Sequence, residues 1–250
     1  MRALIISDIH SNLEALNAVL VTAPACDTVW NLGDTVGYAA NPNEVIDRVR
    51  KLAGLSIRGN HDRACCCPDE MEDFSPIADR AVQWTRSVLT RTNHEWLQQL
   101  PQGPCSPRGT ELSCVHVSPI DEDEYLMNVD DAVVALEAAS SRITLFGHTH
   151  KQIGFSADHE ALYMLEPMFG SDDDADQYEI ELLPGLRYLL NPGSVGQPRD
   201  GDWRAAYAVY DDDRSLFTWC RAPYDFAQTQ ESIRHAGLPD FLADRLSVGR

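Results

Sequence analysis

Lysine is almost missing from this sequence: Lys51 and Lys151 stand against 18 arginines. No apolar run approaches the roughly 18–20 residues that cross a bilayer, so a membrane-spanning helix is excluded. The opening "MRALIISDIHSN" is apolar for only five residues before Ser7 and Asp8. That is too short for a signal peptide and reads as the first strand of a cytoplasmic protein. No Cys-x-x-Cys pair exists, and the seven cysteines are odd in number. Neither a disulfide framework nor a zinc ribbon fits. The "CCC" run at 65–67 reads as incidental thiols near a helix start, because adjacent side chains point in different directions. Positive charge is scarce too, with 39 acidic residues against 20 basic ones and a net charge of −19. Such a surface repels polyphosphate backbones and argues against non-specific nucleic-acid binding. The Asp-rich, Lys-poor bias (25 Asp, 14 Glu) fits salt adaptation and a GC-rich genome equally.

What is present is a strand–helix alternation. Residues 2–7 read as a buried strand. Ser11 or Asn12 caps a helix with Leu13, Leu16, Val19 and Leu20 on its apolar face, ended by Pro24. "DTVWNLGD" is a second strand, and "NPNEVIDRVRKLAG" a helix from Pro42 to Gly54. "LSIRGN" is a third strand. Short connections imply parallel βαβ units. Residues 64–100 interrupt the rhythm with a polar loop and helices at 76–91 and 93–100. "TELSCVHVSP" (strand), "VDDAVVALEAAS" (helix) and "RITLFGH" (strand) then restore it. After His150, six short runs divided by Gly, Pro and Asp read as an antiparallel half, followed by terminal helices at 222–236 and 239–247. Residues 1–250 read as one α/β domain with a helical insertion at about 64–100. The acidic segment "SDDDAD" at 171–176 lacks the Gly and distal Glu of a calcium loop and reads as solvated.

Position makes the polar residues informative. The first strand ends in Asp8-Ile9-His10, the second in Gly33-Asp34, the third in Gly59-Asn60-His61-Asp62. The next carries His116, and the last parallel strand ends in Gly147-His148-Thr149-His150. In an open α/β sheet, ligands bind beyond the carboxyl ends of the strands. Two aspartates, one asparagine and four histidines in one crevice would repel or titrate unless cations sat among them. Oxygen and nitrogen donors without sulfur suit Mn²⁺, Fe or Zn²⁺ alike; Mn²⁺ is the expected ion, with Fe, Zn²⁺ or Ni²⁺ as alternatives. Seven side chains exceed the needs of one ion, and two ions sharing one carboxylate use them economically. Two metals so placed stabilise the attacking and leaving oxygens of a displacement at phosphorus. His61 is then free to protonate the leaving oxygen, with Asp62 orienting its imidazole or capping a turn.

These five blocks resemble the signature of the calcineurin-like metallophosphoesterases, in order and in spacing, over roughly residues 4–200. The resemblance implies a four-layer α/β/β/α sandwich of two mixed sheets. It places Asp8, His10, Asp34 and His150 on one metal and Asp34, Asn60, His116 and His148 on the other. Asp34 bridges, and His61 and Asp62 take the catalytic positions. The pattern departs from the protein phosphatases and symmetrical dinucleoside tetraphosphatases: Ser11 replaces Gly, "GDTVGY" replaces Gly-Asp-x-x-Asp-Arg-Gly, and Asp62 replaces Glu. This resembles the small bacterial and archaeal phosphodiesterase-type branch. The expectation is a dinuclear phosphodiesterase that cleaves a small phosphate ester by metal-bridging hydroxide attack. A phosphomonoesterase, or a non-catalytic scaffold of the same fold, is the alternative. Arg199 and Tyr38 are the candidates for substrate contact. The "NPGS" turn at 191–194 reads as structural.

Overall fold

In this computed structural model the described residues are 1–67, 74–120, 126 and 128–250. The polar loop expected after the cysteine run falls largely outside them. The chain opens with β1 (Arg2–Ile6), α1 (Leu13–Thr22), β2 (Thr28–Asn31), α2 (Pro42–Leu52) and β3 (Ala53–Ser56). Three helices follow: α3 (Asn60–Cys66), α4 (Pro76–Val88) and α5 (Arg91–Gln98). Next come β4 (Leu112–Cys114), α6 (Val129–Ala138) and β5 (Ile143–Leu145). The second half holds β6 (Gln152–Ala157), β7 (Leu162–Leu165), β8 (Asp176–Glu181), β9 (Arg187–Pro192), β10 (Ala205–Asp211) and β11 (Leu216–Ala222). It closes with α7 (Phe226–His235), α8 (Asp240–Asp244) and a 3₁₀ turn at Arg245–Val248.

The helices start where short polar side chains satisfy the first free amides. Asn12 accepts from Ala15 N, Ser75 from Ala78 N and Thr90 from Asn93 N. Asn128 accepts from two amides while Asp131 reaches back to its N–H.

The strands form two mixed sheets. One runs β3-β2-β1-β10-β11-β8, parallel through its first three strands and antiparallel thereafter. The other runs β4-β5-β9-β6-β7, where β4, β5 and β9 are parallel. The second half is therefore not wholly antiparallel. β9 joins the parallel set of the second sheet.

Period-two patterning assigns each face of a strand to a different layer. Ala3 and Ile5 of β1 face the inter-sheet core with Trp30, Leu145, Leu190, Phe217 and Trp219. Leu4 and Ile6 face the other way, onto α1. The outer face of the second sheet is covered by α6 through Ala132, Ala135 and Leu136. The result is the α/β/β/α sandwich. Each large side chain sealed between these layers contributes roughly 1.5–3 kcal/mol.

Some boundaries differ from the sequence reading. α2 ends at Leu52, and the chain passes straight into β3. Gly54 lies inside that strand, where a Cβ would meet Thr28 Oγ1 at 2.4 Å. The strand read at 110–119 is only Leu112–Cys114, so His116 lies beyond it. The cysteine run ends α3 rather than lying near its start, and Cys65 and Cys66 are buried. The acidic loop is tied down by Asp176, whose carboxylate accepts from Gly170 N and Ser171 N.

Candidate metal centre

All seven expected ligands follow strands at one edge of the sandwich. Asp8 and His10 follow β1, Asp34 follows β2, and Asn60 begins α3 after β3. His116 follows β4, and His148 and His150 follow β5. The backbone turns sharply here. Asp8, His10, Ser11, Asp34, Tyr38, His148 and His150 all have φ between 49° and 66°. Left-handed conformations cost a non-glycine residue of order 1–3 kcal/mol and persist where the surroundings enforce them. The "GHTH" segment is thus a tight turn, not an extended run. Two left-handed residues, rather than strand alternation, send its two imidazoles apart.

Two groups of ligand atoms result, each within 4.8 Å of its own members. Asp8, His10, Asp34 and His150 form one, and Asp34, His116 and His148 the other. His148 and His150 are therefore in different groups, and Asp34 is in both. Its Oδ2 lies 3.6 Å from His10 Nε2 and 3.3 Å from His116 Nε2, while its Oδ1 accepts from His61 N at 2.8 Å. Asn60 Oδ1 is 3.3 Å from His116 Nε2 and 3.1 Å from His148 Nδ1, beside the second group.

Backbone carbonyls set the tautomers. His10 Nδ1 donates to Val36 O, His116 Nδ1 to Leu32 O and His150 Nδ1 to Gln197 O. A carbonyl only accepts, so each Nδ1 carries a proton; the neutral His10 and His150 present an Nε2 lone pair inward, and His116 Nε2 faces Asp34 and does so once its second proton is displaced. His10 Nε2 and His150 Nε2 are only 3.0 Å apart. Two neutral acceptors at that distance repel, and a cation between or beside them removes the conflict. The donor set thus fits divalent metal.

The ionisation of the metal-free cluster points the same way. Burial holds His10 and His150 well below the ordinary histidine range and His148 down to about 3. Burial also raises Asp8 to about 7. At His116 the buried Asp34 carboxylate outweighs burial and lifts the imidazole to about 10. Asp34 itself stays well below the usual range; burial opposes this, but His116 and His61 dominate together.

His61 sits on the first turn of α3, 4 % exposed. Its ring centroid lies 4.4 Å from that of Tyr38, 4.8 Å from His10 and 4.9 Å from Phe74. Burial pushes it down to about 4. Asp62 does not contact this imidazole. Its carboxylate accepts from Val36 N and Gly59 N, both at 3.1 Å. A helix start leaves amides free, and Asp62 is spent on them and on the neighbouring loop. Its position is that of a brace and cap. Tyr38 packs against His10, with ring centroids 4.5 Å apart and planes tilted by 54°. Arg199 Nη2 lies 3.4 Å from Tyr38 Oη, and Arg199 N donates to His150 O at 3.0 Å.

A calcineurin-like phosphoesterase superfamily domain model matches residues 1–215. The chain belongs to this superfamily. An uncharacterized protein of Methanocaldococcus jannaschii is 35% identical over 253 residues, covering 98% of this chain and 97% of its own length. The crystal structure of a metallophosphoesterase from Sphaerobacter thermophilus superposes with a TM-score of 0.85 at 38% identity, covering 100% and 99% of the two chains. A hypothetical protein of Pyrococcus horikoshii shares the fold at 17% identity, with a TM-score of 0.76 and coverage of 100% and 98%. Calcineurin-like phosphoesterases act on phosphate esters and depend on metal. Among the described residues, no helix is long and apolar enough to cross a membrane.

In this calcineurin-like phosphoesterase, the "NPGSVGQ" segment is more than a turn. Asn191 Nδ2 donates to Gly147 O and Thr149 Oγ1, so it holds the turn that carries His148 and His150. Ser194 Oγ donates to Asp8 O and accepts from Gln197 N. Gly196 N donates to Asp8 O, and Gln197 O receives His150 Nδ1. A Cβ on Gly196 would meet Ile9 O at 1.8 Å. These positioning residues were legible only as Gly and Pro punctuation, because their partners lie up to 186 residues away.

Proposed function

We propose that this protein is a dinuclear metal-dependent phosphodiesterase acting on a small phosphate ester. The observation that carries the reading is the pair of ligand groups meeting at Asp34, with three imidazole Nε2 atoms turned inward. Asp8, His10, Asp34 and His150 would hold one ion, and Asp34, Asn60, His116 and His148 the other. Mn²⁺ is the expected ion, and the oxygen–nitrogen set without sulfur accommodates Fe and Zn²⁺ as well. The ions would supply Lewis-acid polarisation of the phosphoryl group and activation of water.

The chain's own residues then do the rest. The carbonyls of Val36, Leu32 and Gln197 keep three imidazoles in the ligating tautomer. His61 faces the reacting group from the Tyr38 side and donates a proton to the leaving oxygen. Burial keeps it neutral above about pH 4 in the free site. It acquires that proton with the substrate, whose negative charge opposes the effect of burial. Asp62 fixes the start of α3, and hence His61, against the Val36 loop. Tyr38 and Arg199 contact the phosphate oxygens, and Arg199 adds fixed positive charge.

The test is hydrolysis of bis-p-nitrophenyl phosphate and p-nitrophenyl phosphate by Mn²⁺-loaded protein. The expected result is metal-dependent cleavage with a preference for the diester. A strong preference for the monoester makes the protein a phosphatase. No cleavage of either ester with Mn²⁺, Fe²⁺, Zn²⁺ or Ni²⁺ overturns the enzymatic reading.

A further inference from the structure

Three imidazoles of the site are oriented by hydrogen bonds, from Nδ1 to the carbonyls of Val36, Leu32 and Gln197. His61 lacks such a tie. Among the described residues its buried Nδ1 has no hydrogen-bond partner. A ring that no polar contact orients keeps one pose only where its neighbours leave no room for another. The neighbours of His61 come from two separate parts of the chain.

The first is the loop after β2. Gly37 backs onto the Nδ1 edge of the imidazole: a Cβ built there would stand 2.6 Å from His61 Nδ1 and 3.2 Å from its Cγ. The glycine has φ +101°, and Tyr38 follows at φ 56°. This left-handed pair carries the chain past His61, and the Tyr38 ring lies 4.4 Å from the imidazole, centroid to centroid.

The second is the helical insertion. Ser75 caps α4 by accepting from Ala78 N at 3.2 Å, and Pro76 begins the helix. The residue before the cap, Phe74, is half-buried against Val36, Ala64, Cys65 and Val82. From that anchor its ring meets His61 with centroids 4.9 Å apart and planes at 80°. Edge-to-face pairs at this separation are attractive and directional. Gly37 fills the Nδ1 edge of the imidazole, so Nε2, across the ring, is the nitrogen left to meet an ester.

We propose that Gly37 and Phe74 are positioning residues which, with Tyr38, hold the His61 ring so that Nε2 delivers its proton to the leaving oxygen. This rests on the hydrolytic reading of the Asp/His cluster, with His61 as proton donor. As the P–O bond breaks, its electron pair stays on the departing oxygen. That oxygen takes the Nε2 proton, and the imidazole is left neutral. The helical insertion contributes no expected metal ligand, and here it gains a part in the chemistry. Its effect falls on esters whose leaving alcohol needs a proton; 4-nitrophenolate departs as a stable anion and needs little help.

The probe is a pair of diesters that share one retained group, ethyl 4-nitrophenyl phosphate and ethyl phenyl phosphate. With Mn²⁺-loaded protein, Phe74→Ala and Gly37→Ala should each lower kcat for the phenyl ester at least about tenfold more than for the nitrophenyl ester, part of the 10²–10⁴-fold effect of a proton donor. Phe74→Tyr keeps the ring and should return the wild-type ratio. Metal content of Phe74→Ala by elemental analysis should match wild type. Equal losses on the two esters in either alanine variant overturn that residue's role, because a merely structural defect lowers both alike. If Phe74→Ala does not fold, Phe74→Leu decides by the same ratio, since it keeps bulk and loses the ring. NMR of the metal-free protein reads the packing without turnover. The His61 ring protons, identified by their loss in His61→Ala, should lie away from ordinary imidazole shifts and move back towards them in Phe74→Leu. Identical shifts in wild type and Phe74→Leu refute the packing of Phe74 on His61. Equal losses on both esters in His61→Ala, with the NMR displacement present, sink the donor reading and leave the packing standing.

Discussion

Replacing Gly59 by alanine isolates one steric contact at the centre of the site. Gly59 has φ −96° and ψ 173°, which any residue adopts, so the backbone itself tolerates the change. The added Cβ would lie 2.1 Å from Asp34 Oδ1, 2.4 Å from Asp34 N and 2.8 Å from Asp34 Cγ. Two of these three atoms belong to the carboxylate shared by both ligand groups. Relief to an ordinary contact needs a displacement of roughly 1 Å, a misplacement that costs on the order of 10²-fold in rate. Overpacking a dense interior adds a destabilisation of about 1–3 kcal/mol. It also strains the 2.8 Å bond from His61 N to Asp34 Oδ1, so the candidate proton donor moves with the ligand. The assay is metal stoichiometry by elemental analysis, Mn²⁺-dependent cleavage of bis-p-nitrophenyl phosphate, and thermal melting. Gly185→Ala is the control: it has φ +86° but nothing within 4 Å of its Cβ. That substitution should cost about 1 kcal/mol through backbone strain alone and leave metal content untouched. Wild-type stoichiometry and rate in Gly59→Ala would refute the central place given to Asp34.

Three further outcomes are expected. His61→Ala should lower kcat by about 10²–10⁴-fold and keep its metal, since no ligand atom is removed; metal loss on elemental analysis would show the division of roles to be wrong. Ser194→Ala removes the bonds to Asp8 O and from Gln197 N and should weaken metal binding by roughly 10–100-fold, as loss of an outer-shell partner does; unchanged binding in a Mn²⁺ titration would count against the bracing role. Metal-free protein should lose stability as pH falls from 6.5 towards 4. In that window four imidazoles (His10, His61, His148, His150) stay unprotonated in the fold but take protons when unfolded. Asp8 and Asp62, both raised to about 7, hold protons in the fold and offset two of the four. The net of about two protons gives a slope of at most roughly 2.7 kcal/mol per pH unit. Melting temperatures that stay flat or rise on acidification would contradict these shifts.

Much of the site was legible in one dimension because strand ends announce themselves. An apolar run that stops at Ser7-Asp8, Gly33-Asp34 or Gly147-His148 marks both the end of a strand and a polar group delivered there. Parallel order then brings those groups to one edge. The same periodicity separated the layers, since alternate residues of β1 face different clusters. Boundaries fared less well where packing overrode local signals. Gly54 looks like a helix stop but lies in a strand beside Thr28.

What the sequence by itself determined is the set of candidate ligand residues and the fold that gathers them: both follow from residue type and from periods of two and 3.6, which are local. Tertiary structure alone decided which groups those atoms fall into, which nitrogen of each imidazole turns inward, and what holds the strained turns. The Ser194–Asp8 and His150–Gln197 bonds join segments with no shared period, so no local pattern contains them. The same holds for Asp62, which became a brace once its carboxylate met Val36 N.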